Sequence, residues 1–159
     1  EQEQRTAGNV LGLQDVVFLN YEDSMLEPSL ELRRDITRQI RRYKPDVLIC
    51  GTPMRRLSYN GYLGHPDHIA AGEAALSAVF PSARDRLTFP ELLDGGLEPH
   101  NVSEVWVMDH HEPDNFVDVT SHMDTAIKAL KQHETQVTSD DVGTHMKQWR
   151  SRTGQKVGF

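Results

Sequence analysis

The stretch Pro45-Asp46-Val47-Leu48-Ile49-Cys50-Gly51 decides the reading of the fold. Val47 to Cys50 is an unbroken apolar run between a proline and a glycine, and a continuous short run of this kind reads as a strand buried on both faces. Upstream, Leu32, Ile36, Ile40 and Tyr43 recur at spacings of four, four and three. That period predicts a helix, capped by Ser29 and ended by Pro45. Further upstream, Val16-Val17-Phe18-Leu19 is a second continuous apolar run. Residues 16 to 50 therefore read as one β-α-β unit, with parallel pairing and a right-handed crossover expected. The fold class is α/β, built in layers.

Working outward, the first residues read as the end of a helix, with Ala7, Val10 and Leu11 on one face and Gly12 as the stop. Downstream, a polar loop over residues 51 to 64 leads into an Ala-rich helix from 66 to about 80. Residues 81 to 99 look mostly irregular. Residues 102 to 108 alternate as a strand does, and Phe116-Val117-Asp118-Val119 reads as another short one. Thr120 or Ser121 can cap a helix running through Ile127 and Leu130 to about His133, and residues 141 to 149 are weakly helical.

At 159 residues the chain reads as a single domain. Its formal net charge is -7, and the one basic cluster, Arg33, Arg34, Arg38, Arg41, Arg42 and Lys44, follows a helix as a solvated outer face would. Nucleic acid is not an expected partner. Cys50 is the only cysteine, which excludes a disulfide framework, fits a cytoplasmic setting and reads as an inert buried thiol. No apolar stretch approaches the length of a membrane span. The chain starts without a methionine in what looks like mid-helix, so the expectation is an N-terminally truncated domain.

The chemistry concentrates in His65-Pro66-Asp67-His68. Pro66 suits the first position of a helix, which makes His65 the N-cap and His68 the third helical residue. Two histidines three apart share a face. The tetrapeptide also follows a sheet strand, where open α/β sheets place their ligand sites. A neutral imidazole near the positive end of a helix dipole is prepared to coordinate a cation. His65 could be an acid or an oxyanion donor, with Asp67 fixing its tautomer through the other ring nitrogen. Against this stands the plain reading of a helix cap, a dipole-complementing aspartate and a surface histidine. His110 and His111, adjacent at a strand end, should point to opposite faces and are poor joint ligands.

The order of these residues resembles the LmbE-like or PIG-L-type N-deacetylases. Glu3 with Ala7 and Leu11-Gly12, Asp23, Tyr43-Lys44-Pro45-Asp46-Val47, His65-Pro66-Asp67-His68 with Gly72, Pro90-Glu91-Leu92, His100-x-Val102, Pro113-Asp114, Asp118-Val119-Thr120 and His133-x-x-Gln136 follow the family's pattern collinearly. The resemblance implies a Rossmann-like three-layer fold with a mostly parallel sheet. It implies a hydrolase, dependent on zinc or another divalent metal, that removes acetyl from an N-acetylglucosaminyl-type amino-sugar conjugate by attack of metal-activated water. By the same resemblance His68 is a metal ligand, His65 stabilises the oxyanion and protonates the leaving amine, Asp67 orients His65, and Asp23 lies near the sugar. Some relatives place an assisting tyrosine two residues before the first histidine. Here Leu63 holds that place and Tyr62 stands one residue further off.

The family's other signature, A-H-P-D-D-E, is not in this sequence. It carries the remaining metal ligands and the base, so the first β-α unit is expected upstream of Glu1. Without it the alternative is a catalytically inactive sugar-binding or scaffold protein on the same fold. A nucleotide-binding Rossmann enzyme is disfavoured because no G-x-G-x-x-G follows a strand. The partner implied is a small N-acetylated amino-sugar conjugate, and homo-oligomerisation is left open.

Overall fold

The computed structural model describes residues 1–55 and 63–158. It divides into two compact units, Leu19–Pro113 on one hand and Glu1–Phe18 with Asp114–Phe159 on the other. No helix among the described residues is long and apolar enough to cross a membrane.

The Leu19–Pro113 unit holds the sheet. Helix α2 (Leu30–Tyr43) begins where the sequence places it, with Ser29 Oγ accepting the Leu32 N–H at 3.1 Å, and ends in a left-handed Lys44 ahead of Pro45. Strand β1 (Val47–Gly51) pairs in parallel with β2 (Glu104–Met108), Ile49 lying opposite Trp106. Between them come helix α3 (Pro66–Ser77), a kinked turn over Ala78–Ser82 and the short helix α4 (Glu91–Asp94). The core gathers Ile40, Ala78, Val79, Ala83 and Val102, with Ile36, Leu48 and Val105 packed against it. Small residues on α3 permit a close approach to β1. A Cβ built on Gly72 would stand 2.5 Å from the Gly51 carbonyl oxygen, so only glycine fits there.

Several expectations need correction. Residues 16–19 are not a strand: the Val16 N–H donates to its neighbour Asp15 at 2.7 Å and the Val16 carbonyl accepts from Arg5 at 3.2 Å. Side chains thus take both main-chain groups of Val16, and β1 pairs with β2 instead of closing a β-α-β unit with this run. Nor is β1 buried on both faces. Leu48 and Cys50 are half-buried, while Val47 and Ile49 are exposed, and on the paired strand so are Trp106 and Met108. The class is a mixed α/β fold with a small parallel sheet; a three-layer arrangement is not seen among the described residues. Residues 116–119 form no strand either, and Val117 is 64% exposed.

The basic cluster is not uniformly a solvated face, because Arg41 is 1% exposed. Its guanidinium donates to the carbonyls of Ser82 (2.8 Å), Asp85 (2.7 Å), Thr88 (3.1 Å) and Leu97 (3.4 Å). A basic residue at this helical position could not be assigned to the interior from charge pattern alone, since its partners are main-chain oxygens about 40 to 56 residues away. Burial pulls its pKa down from the ordinary value, against the opposing charges of Asp85 and Glu98. His100, which gave no signal of its own, brackets the sheet: its Nε2 meets the Pro45 carbonyl at 2.8 Å.

In the other unit, α1 (Gln2–Leu11) ends at Gly12 with φ 74°, as the stop signal predicts, and packs on α5 (Met123–Leu130). Glu3 reaches the turn after α5, accepting the Thr135 N–H at 2.8 Å and hydroxyl at 2.9 Å. These bonds hold its carboxyl below the usual range. The C-terminal helix α6 (Val142–Gly154) is longer than the sequence suggested.

Candidate active site

All the described site residues lie in the Leu19–Pro113 unit. Pro66 opens α3 and His65 is its N-cap, because proline has no N–H to satisfy and the preceding residue is extended (φ -71°, ψ 132°). The His65 ring turns back onto the helix, and its Nδ1 accepts the main-chain N–H of Asp67 at 3.2 Å. An acceptor nitrogen carries no proton, so in this arrangement the neutral ring keeps its proton on Nε2. The His65 and His68 rings face each other at 5.3 Å between centroids, tilted by 38°. His68 is exposed, and its ring nitrogens have no hydrogen-bond partner among the described residues.

Asp67 is placed differently from its sequence reading. Its carboxylate stands 3.9 Å from His65 Nδ1, beyond hydrogen-bond distance, and its side chain is 15% exposed. Instead it accepts the N–H groups of Ser24 at 2.7 Å and Leu26 at 3.3 Å. This brings Asp23 to His65. One ligand atom each from Asp23, His65 and Asp67 lies within 4.8 Å of the others. Ser24 and Leu26 were missed by sequence reasoning because they act through main-chain groups, which leave no trace in residue type. Tyr62 lies outside the described residues.

The donor chemistry of this group, imidazole and carboxylate, suits a divalent transition metal. His68 is not a member of this group. On His65 one nitrogen already accepts a hydrogen bond and the other holds the proton, so neither offers a lone pair until the cap bond opens. Ligands about 2.0–2.1 Å from a tetrahedral ion stand roughly 3.3 Å apart. The ligand atoms of Asp23, His65 and Asp67 lie within 4.8 Å of one another, and His65 Nδ1 stands 3.9 Å from the Asp67 carboxylate, somewhat wider than that spacing.

Cys50, on β1, is half-buried, and burial pushes its thiol pKa up, in keeping with an inert residue. His110 and His111 do not point apart. The strand ends at Met108, Asp109 turns the chain with φ 61°, and the two rings lie 4.4 Å apart.

Comparison with known proteins places these features. Residues 1–79 match the family profile described as PIG-L: GlcNAc-PI de-N-acetylase. The diacetylchitobiose deacetylase of Thermococcus kodakarensis is 31% identical over 140 residues, which is 88% of this chain and 50% of the relative. A probable N-acetyl-alpha-D-glucosaminyl L-malate deacetylase of Bacillus anthracis is 37% identical over 81 residues, 50% of this chain and 33% of the relative. Among solved structures, the N,N'-diacetylchitobiose deacetylase of Pyrococcus horikoshii superposes with a TM-score of 0.84 at 29% identity, covering 99% of this chain and 58% of that one. A conserved protein of Thermus thermophilus superposes at 0.77 with 25% identity, covering 99% of this chain and 67% of that one. The chain thus spans half or less of the length of the curated relatives it matches. By its sequence over residues 1–79 and its likeness to these deacetylases, the chain belongs to the PIG-L, or LmbE-like, family.

Proposed function

We propose that the whole protein is a cytoplasmic, zinc-dependent hydrolase that removes the acetyl group from an N-acetylglucosaminyl-type amino-sugar conjugate. Residues 1–159 would be part of one deacetylase domain on a three-layer Rossmann-like fold. The observation that carries this reading is the unequal state of the two imidazoles. His65 has Nδ1 as acceptor and Nε2–H as donor, while His68, 5.3 Å away between ring centroids, has ring nitrogens uncommitted among the described residues. That is the division of labour an amide hydrolase needs: one ring for the metal, one for the developing oxyanion.

In this reading His68 holds the metal with ligands from the rest of the protein. When bound, the metal polarises the acetyl carbonyl and makes water nucleophilic near neutral pH. His65 donates from Nε2 to the oxyanion. Delivering a whole proton to the leaving amine requires the imidazolium, formed when the ring takes a second proton from solvent at Nδ1, and that Nδ1–H can no longer accept from the helix. The Asp67 carboxylate, 3.9 Å from that nitrogen, is then placed to receive it. Asp23, exposed beside His65, would accept hydrogen bonds from sugar hydroxyls.

The reading is tested by acetate release from an N-acetylglucosaminyl substrate with the full-length protein. Chelator should abolish turnover and added zinc restore it. His68→Ala should lose bound metal, whereas His65→Ala should keep the metal and lose about 100-fold or more in kcat. Chelator-insensitive turnover would sink the metal assignment, and sugar binding without acetate release would favour the inactive sugar-binding protein.

A further inference from the structure

The loop that carries Asp23 is tied down from two helices. On one side the N–H groups of Ser24 and Leu26 both donate to the Asp67 carboxylate of α3, at 2.7 and 3.3 Å. On the other the Tyr21 hydroxyl donates to Asp35 of α2 at 3.0 Å. Ser24, itself one of the tied residues, holds a positive φ of 66°, a conformation uncommon for a residue with a side chain. A carboxylate in the first turn of a helix would ordinarily serve that helix's own N–H groups. In α3 the His65 ring has that duty, which leaves the Asp67 carboxylate to reach a segment 41 to 43 residues away in sequence.

We propose that Asp67 is a positioning residue for the Tyr21–Leu26 loop, fixing the Asp23 carboxylate beside His65 so that sugar hydroxyls meet a preformed acceptor. The proposal rests on the reading of Asp23 as the sugar-facing residue. Asp67 accordingly governs substrate binding by holding a loop, separately from anything it does for His65. Hydrogen bonds to an ionised acceptor are strong enough for this, and a misplaced binding group weakens ground-state and transition-state binding alike.

The full-length protein carries the test. Amide hydrogen exchange at Ser24 and Leu26 should quicken about tenfold or more in Asp67→Asn, which keeps the shape but turns an N–H donor toward one of the two loop donors. In the same variant KM for an N-acetylglucosaminyl substrate should rise about tenfold, over and above any fall in kcat from the lost partner of His65. Tyr21→Phe, which leaves α3 untouched, should quicken the same amides and raise KM by about two- to threefold. Unchanged exchange at Ser24 and Leu26 in Asp67→Asn overturns the tie. A fall in kcat with a displaced pH limb and constant KM overturns the loop role and assigns Asp67 to His65. Asp23→Ala with an unaltered KM brings down the reading of Asp23, and the proposed effect on binding falls with it; the exchange measurement decides the tie independently.

Discussion

Arg41 and Asp67 both reach from a helix into an irregular loop and gather its main-chain groups, yet they do so in opposite settings. Arg41 is 1% exposed and donates to four carbonyls; Asp67 has a 15% exposed side chain and accepts two N–H groups. Around Arg41 the bond to the Ser82 carbonyl is buried and the other three are partly so, and water replaces a lost donor there less readily. Around Asp67 the loop N–H groups lie near the surface, and solvent can replace a lost acceptor. The difference teaches that one kind of contact can hold up a fold in one place and tune a site in another, depending on what replaces it when it is removed.

The largest test of that contrast is Arg41→Met. It keeps most of the apolar stem but orphans the carbonyls, and should destabilise the chain by on the order of 3 kcal/mol. Thermal unfolding would then shift down by roughly 6–12 °C. Arg41→Lys should recover part of that loss, since three of the four carbonyls gather on the single nitrogen Nη2, which an ammonium can replace as far as its stem reaches. Asp67→Asn should cost under about 1 kcal/mol in the same assay. Equal losses for the two would break the comparison. Next in size is Gly72→Ala, where the added methyl meets the Gly51 carbonyl and the Pro53 nitrogen, which are backbone and cannot swing away. About 2 kcal/mol is expected. Because α3 carries His65 to His68, the displacement should also lower metal affinity in the full-length protein, which Arg41→Met, remote in sequence from that turn, should do less.

What the sequence made legible follows the same division between local and distant causes. Ser29 as a cap, Gly12 as a stop, Pro66 at the head of α3 and the alternation of residues 102 to 108 are all settled within a few residues of chain, and the structure has each of them, the strand starting at Glu104. The family was legible too, because His65-Pro66-Asp67-His68 and Gly72 sit in a fixed local spacing. The run Val16-Val17-Phe18-Leu19 failed as a strand because a strand needs a partner, and its own composition cannot supply one. Arg41 was misread for a related reason: a helical charge pattern says which face is basic, but not that distant carbonyls will bury one member of it.

Ser29→Ala sharpens the contrast from the local side. It removes a hydrogen bond made three residues along the chain, and should cost about 1 kcal/mol whatever happens to either loop. Urea unfolding of the variant, compared with Arg41→Met, separates a cap from a long-range clamp. A loss as large as that of Arg41→Met would mean that the entry to α2 is coupled to the core beyond its cap.

The smallest expected effect concerns the second tie of the Asp23 loop. Burial, then the hydrogen bond to Asp35, pushes the Tyr21 hydroxyl up to about 12 from an ordinary 10.0. The folded state therefore holds this proton more tightly than the unfolded chain does. Its contribution is fully present below pH 10 and is lost as pH rises through 12. Tyr21→Phe should cost only about half a kcal/mol at neutral pH, the low end for a partly exposed bond. Spectrophotometric titration should show one tyrosine ionising late in the wild type and missing in the variant, and the stability gap between the two should close as the pH is raised from 10 to 12. A gap that stays constant across that interval would mean the hydroxyl packs without holding its proton for Asp35. The loop would then hang from Asp67 alone, and the exposed clamp would matter more to the fold than its partial exposure suggests.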